Sequence, residues 1–230
     1  VSVSGENIRG IYARAFGIGE DRVKAYGVPR TDEFLDSEYV SQVRKRIRSR
    51  YPKLDGKQVI LYAPTFRDGK GQDKHEFRPE MNFESLSHSL KENQVFLICP
   101  HPVMQNRIVT GSYENIIQVK DFTTNEMMCI ANLLVTDYSS VVFEYSLLNK
   151  PMVFYCYDYD EYNRDFYLDY ENDLPGQLFR NYAELEKYIS AGDFEETEGV
   201  KDFRNRYMSA CDGKSGERIA HVLEKMLKEK

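Results

Sequence analysis

The sequence predicts an α/β protein built on a parallel sheet with helices on both faces. Short apolar runs alternate with helix-periodic segments between residues 59 and 189. These runs are apolar at nearly every position rather than at every second one, as in strands covered on both sides. Polar motifs stand directly behind three of them, at Pro64–Arg67, Pro100–Pro102 and Thr136–Ser140. Those are the strand ends where ligands sit in sheets of this kind.

Residues 5–16 read as a helix, and Arg22–Tyr26 as a short strand closing at Gly27-Val28-Pro29-Arg30. Residues 37–51 are amphipathic, with Val40, Val43 and Ile47 on one face and Arg44, Lys45, Arg46, Arg48 and Arg50 around the rest. The basic segment Arg44–Lys53 is read as the solvated side of that helix rather than as a lipid or polyanion surface. Val59–Ala63 is a buried strand, followed by a polar, glycine-bearing loop over 68–80. Residues 82–92 form a helix, Val95–Cys99 and Ile116–Val119 strands, and 124–131 a short helix. Strand 133–136, helix 140–149 and strand 152–156 come next. The aromatic, acidic stretch 158–175 reads as an irregular loop, and Tyr182–Ile189 as a helix. In the last helix Ile219, Val222, Leu223, Met226 and Leu227 recur at helical spacing, which predicts a buried face.

With 230 residues, 41% of them hydrophobic, the chain can bury a sizeable core. No apolar run approaches the length of a membrane span. The net charge of −6 argues against a nucleic-acid partner. Cys99, Cys129, Cys156 and Cys211 are far apart, show no zinc spacing and read as reduced, buried thiols. The chain opens on Val1 rather than Met and reads as part of a longer protein.

Residues 133–145 hold the densest signal. The run Leu133–Val135 ends in Thr136-Asp137-Tyr138-Ser139-Ser140, and helix-periodic residues follow at once. A strand, a tight turn and a helix start gather backbone N–H groups at one point, which suits a phosphate. Ser139 and Ser140 either hold phosphate oxygens or cap the helix, and both roles are compatible. Asp137 is read as a brace for the turn. Arg67, behind the Pro64-Thr65 turn, is shaped for bidentate phosphate contact. Thr65 offers its hydroxyl and backbone, and His101 is fixed between Pro100 and Pro102 at a strand end. Arg30 either reaches the same cleft edge or forms a structural ion pair. His75, His88 and His221 read as surface residues.

Gly27-Val28-Pro29-Arg30-Thr31-Asp32, Leu61–Arg67, His101-Pro102, Val135–Ser140, Lys150-Pro151 and Asp212-Gly213-Lys214 occur in that order. This ordered set resembles the CDP-glycerol:poly(glycerophosphate) glycerophosphotransferase family of teichoic-acid synthesis, over roughly residues 20–220. The resemblance implies a GT-B architecture of two Rossmann-like domains, of which this chain is the carboxyl-terminal, nucleotide-binding half. Residues 1–25 would lead in from the amino-terminal domain, 26–213 form the nucleotide-binding domain and 214–230 the C-terminal helix. The family's His-Gly motif, carrying a proposed catalytic base, belongs to the amino-terminal half, and residues 1–30 contain no such pair.

The resemblance further implies transfer of glycerol phosphate, or a related alditol phosphate, from a CDP-linked donor to a hydroxyl of a lipid-linked polymer, with release of CMP. His101 would be catalytic, and Thr65, Arg67, Ser139, Ser140 and Glu144 would bind the donor. Glu144 is either a ribose acceptor, as the resemblance implies, or a solvated acid on the helix face. No cofactor and no metal are expected. The Asp158-Tyr159-Asp160 triplet is read as acidic loop, since GT-B enzymes commonly hold no metal. Lys214-Ser215 is not a Walker motif, because Met208 stands where its first glycine belongs. The implied location is cytoplasmic, in peripheral contact with the inner membrane face. Two other readings compete: a UDP-sugar glycosyltransferase or epimerase of the same fold, and a noncatalytic nucleotide-binding module.

Overall fold

The computed structural model describes residues 1–65, 79–100, 111–162, 168–194 and 198–228. Six strands form one sheet: β1 (Gln58–Ala63), β2 (Gln94–Ile98), β3 (Ile116–Gln118), β4 (Leu133–Thr136), β5 (Met152–Tyr155) and β6 (Leu178–Phe179). Their order is β3-β2-β1-β4-β5-β6, and every pairing is parallel. The chain begins at the centre, builds outward to β3, then returns to the other side of β1. That reversal opens a crevice at the carboxyl ends of β1 and β4, where such folds hold ligands.

The helices are α1 (Arg9–Phe16), α2 (Ser37–Arg50), α3 (Phe83–Ser89), α4 (Thr124–Ile130), α5 (Val141–Ser146), α6 (Tyr182–Ala191), α7 (Glu198–Tyr207) and α8 (Ser215–Lys228). In β1, Val59, Leu61 and Ala63 face a layer containing Val43, Ile47, Met127 and Tyr145. Ile60 and Tyr62 face the opposite layer, with Leu86, Leu185 and Ile189. Two buried faces explain why the strands are apolar at every position. All four cysteines are free and buried, and burial raises the Cys99 and Cys129 thiol pKa values.

Two distant motifs meet beside the sheet. Gly27 has φ +86°, and a Cβ there would lie 2.2 Å from Ser215 Oγ and 2.5 Å from Ala210 O, so only glycine fits. Behind it, Asp32 accepts hydrogen bonds from Ser215 N (3.0 Å) and Gly216 N (2.8 Å), occupying the first amides of α8. Gly213, at φ +87°, turns the chain into α8.

The structure departs from the sequence reading in three places. Arg22–Tyr26 is not a strand: a 3-10 turn covers Glu20–Arg22, and Lys24 makes one isolated parallel bridge to Ser2. A single partnered residue cannot propagate a ladder. The apolar stripe of α8 is not buried: Leu223, Met226 and Leu227 are 55%, 59% and 74% exposed. The first turn of α8 is anchored to the segment around Asp32, and the rest of the stripe meets no second layer among the described residues. Finally, β6 and α7 carry no strong local signal. β6 is two residues long, and α7 buries only Val200, Phe203 and Tyr207 in a charged sequence. No described helix is long and apolar enough to cross a membrane.

Candidate functional site

The adjacent ends of β1 and β4 are clasped by one carboxylate. Asp137 Oδ1 accepts from Thr65 N (2.8 Å), Thr65 Oγ1 (2.5 Å) and Tyr138 N (2.7 Å). Asp137 is 1% exposed, so three donors answer a charge that burial would otherwise disfavour. Asp137 is thus the brace its position suggested. Thr65 directs both its N–H and its hydroxyl to that brace and so helps to shape the turn. Tyr170 Oη donates to the Asp137 carbonyl at 3.1 Å, fixing the turn from behind. Tyr138 donates its hydroxyl to Asp158 Oδ1 (3.1 Å) and stacks on Tyr162 at 3.7 Å. Burial raises the pKa of both Tyr138 and Tyr170, so they remain neutral donors.

The serine pair stands at the opening of α5. Ser139 Oγ accepts from Val141 N at 3.4 Å, a weak cap. Ser140 occupies the N-cap position, makes no side-chain capping bond and is exposed. Its hydroxyl therefore faces outward rather than serving the helix. Both serines line a cavity of about 460 Å³ walled by Ile11, Phe16, Val142 and Phe143. Ser4 and the hydroxyl-bearing Tyr12, Tyr170 and Tyr207 also line it, so polar groups stand beside the turn as well as in it.

Glu144 is 7% exposed, which overturns the reading of a solvated acid. Its Oε1 accepts from Arg30 Nε (3.1 Å) and Nη2 (2.5 Å). Helical side chains lean toward the N-terminus, so this carboxylate leans back toward the serine turn. The arginine side chain is 66% exposed, and its opening end faces solvent from the rigid Gly27-Val28-Pro29 turn. Glu144 is the ion partner of Arg30, a pairing across 114 residues that no local pattern announces. The only sequence signal was the motif that carries Arg30.

Arg67 and His101 lie outside the described residues. The strands leading to them, β1 and β2, are neighbours in the sheet. Pro64-Thr65, Pro100 and Thr136–Ser140 therefore follow the ends of three consecutive strands, β1, β2 and β4. Among the described residues no group of histidine, cysteine and carboxylate side chains could hold a metal ion.

The sequence pattern of the CDP-glycerol:poly(glycerophosphate) glycerophosphotransferase family matches residues 1–225. The chain belongs to this family. It is 39% identical over 226 residues to a teichoic acid poly(ribitol-phosphate) polymerase of Bacillus spizizenii, covering 95% of this chain and 36% of that protein. A teichoic acid ribitol-phosphate primase of the same organism is 34% identical, with 94% and 56% covered. A solved structure of the wall teichoic acid polymerase TagF superimposes with a TM-score of 0.84 at 29% identity, over 99% of this chain and 58% of that one. TagF has also been solved after a soak with CDPG. A UDP-GlcNAc 2-epimerase from Neisseria meningitidis, at 17% identity and a TM-score of 0.53, shares the fold alone. The chain is thus a Rossmann-like α/β unit of the GT-B type. It spans between about a third and three fifths of the length of these relatives.

Proposed function

We propose that this chain binds the donor in an enzyme that transfers an alditol phosphate, glycerol phosphate or its ribitol counterpart, from a CDP-linked donor. The acceptor is a hydroxyl on a lipid-linked teichoic-acid polymer. Its oxygen attacks the phosphorus bearing the alditol, the bond to the CMP oxygen breaks, and CMP leaves with the electron pair. The hydroxyl proton passes to a base outside the described residues. Little covalent work falls to the protein in such a transfer, so positioning and charge neutralisation dominate.

The observation that carries this reading is the braced turn at the β1/β4 crevice, with the Arg30–Glu144 pair one helical turn behind it. Ser139 and Ser140 receive the pyrophosphate, and Arg30 adds a positive charge held in place by Glu144. The second carboxylate oxygen of Glu144 accepts a ribose hydroxyl while the first keeps Arg30. Arg67 and His101 complete the neutralisation from the neighbouring strands, His101 at the leaving phosphate. Names borne by the relatives support this donor class, as does the CDPG soak of TagF. The enzyme works in the cytoplasm, in peripheral contact with the inner membrane face where its lipid-linked acceptor lies.

Calorimetric titration of the chain with CDP-glycerol, CDP-ribitol, CDP and a UDP-sugar tests the reading. Saturable heat with the CDP compounds is the expected result. Silence with all CDP ligands together with binding of the UDP-sugar sinks it.

A further inference from the structure

At the amino ends of the strands, opposite the donor crevice, lies a recess of about 260 Å³ lined by Arg44, Arg48, Lys57, Asn132 and Lys150 among others. Arg44 and Arg48 are four residues apart on α2 and so share one face. Arg44 Nε donates to the Cys129 carbonyl at 3.0 Å, and its Nη groups make no bond among the described residues. Lys150 Nζ donates to Ala131 O (2.5 Å) and Cys129 O (3.3 Å). Its pKa is lowered to about 8, first by burial and then by the charge of Arg44. Lys57 Nζ reaches the Glu92 carbonyl. Arg48 lies 3.9 Å from the carboxylate of Asp55, whose side chain is 81% exposed. No carboxylate lines the recess.

Asn132, an exposed residue at the mouth of the recess, adds a neutral donor to this set. Its Oδ1 accepts from Val59 N at 2.8 Å, which fixes the amide so that its NH₂ group points away from that backbone. The NH₂ is a donor with no bond among the described residues. The recess therefore presents guanidinium, ammonium and amide donors together, and among the described residues their partners are the Cys129, Ala131 and Glu92 carbonyls and the exposed Asp55. Surplus donors around partly desolvated charge are the complement of an oxyanion.

We propose that this recess is a phosphate-binding site, separate from the donor crevice, that takes the phosphate group of a monoester or diester. Arg44 and Arg48 supply the charge-assisted contacts, Lys150 the buried positive charge, and Asn132 a neutral donor. This holds whether or not the donor reading above is right, because the two sites lie at opposite ends of the sheet and share no residue.

The test is an amide-resolved NMR titration of the chain at constant ionic strength, first with inorganic phosphate. Saturating shifts are expected at the Asn132 side-chain NH₂ and at the Lys57 amide. Asn132→Asp keeps the oxygen that accepts from Val59 N and replaces the donor by a carboxylate. It should weaken phosphate binding at least about tenfold, as Arg48→Gln should, while shifts at Ser139–Val141 with CDP stay as in the wild type. Glycerol 3-phosphate and glycerophosphoglycerol then separate a monoester from a diester source, and saturable binding of either at Asn132 supports the site. Absence of saturable shifts at Asn132, or wild-type affinity in both variants, overturns it. So does Arg48-dependent binding to phosphatidylglycerol vesicles without any phosphate response, which would make the cluster an open membrane-facing surface.

Discussion

The two ends of the sheet handle charge in opposite ways. At the carboxyl end the buried acids are answered by donors: Asp137 by Thr65 and Tyr138, Glu144 by Arg30. At the amino end the cations lean mainly on carbonyls: exposed Arg44 and partly buried Lys150 share the Cys129 oxygen, Lys150 adds that of Ala131, and Arg48 lies 3.9 Å from Asp55. The first arrangement fixes a turn rigidly and leaves Ser140 and the rim of Arg30 facing outward. The second leaves donor capacity unspent. Polar satisfaction and binding capacity thus trade places across the same sheet.

Breaking the carboxyl-end clasp should have the largest effect. Asp137→Ala removes three hydrogen bonds to a buried charge and should cost about 3 kcal/mol in urea unfolding. Asp137→Asn, which keeps the accepting oxygen, should cost clearly less. If the two variants are equally unstable, the charge rather than the clasp holds the turn.

The Arg30–Glu144 pair should show the reverse balance. Arg30 is exposed, so Arg30→Ala should change stability by no more than about 1 kcal/mol. Its loss should nevertheless weaken CDP-glycerol binding by about tenfold in calorimetry, one charge-assisted contact. Unchanged affinity would leave the pair a purely structural tie.

At the amino end the comparison sharpens with pH. Lys150 titrates at about 8 in the folded protein and at about 10.4 in an unfolded chain. Between those values the unfolded state binds more protons, so stability attributable to this group rises with pH. Relative to Lys150→Met, the wild type should gain roughly 1–2 kcal/mol between pH 7.5 and 10, read from urea midpoints at matched ionic strength. The raised tyrosine and cysteine pKa values lower stability toward the top of that range, and the difference between the two proteins largely cancels them. The smallest effect belongs to Asn132→Asp. Placing a carboxylate beside Arg44 and Lys150 should stabilise the protein by about 0.5 kcal/mol in thermal unfolding at pH 7.

Much of this molecule is legible in its sequence because the physics is local. A strand covered on both sides must be apolar throughout, so five of the six strands announce themselves. β6 does not, because two residues carry no period. The turn Thr136–Ser140 is readable because a polar break between an apolar run and a helix start has few other meanings. The ordered motifs also sufficed to place the chain in its family. The apolar stripe of α8 misled for a related reason: periodicity reports that a face is apolar, not that this chain covers it.

What the tertiary structure decided is the partnership of distant charges. Whether Glu144 is solvated or paired, which carboxylate Thr65 donates to, and which carbonyl Arg44 reaches all depend on groups up to 114 residues away. Sequence periodicity fixes which way a side chain faces relative to its own element. Burial and electrostatic partners are set by how elements cross, and that is decided only when the sheet order brings β1 beside β4 and the carboxyl end of α4 beside α2.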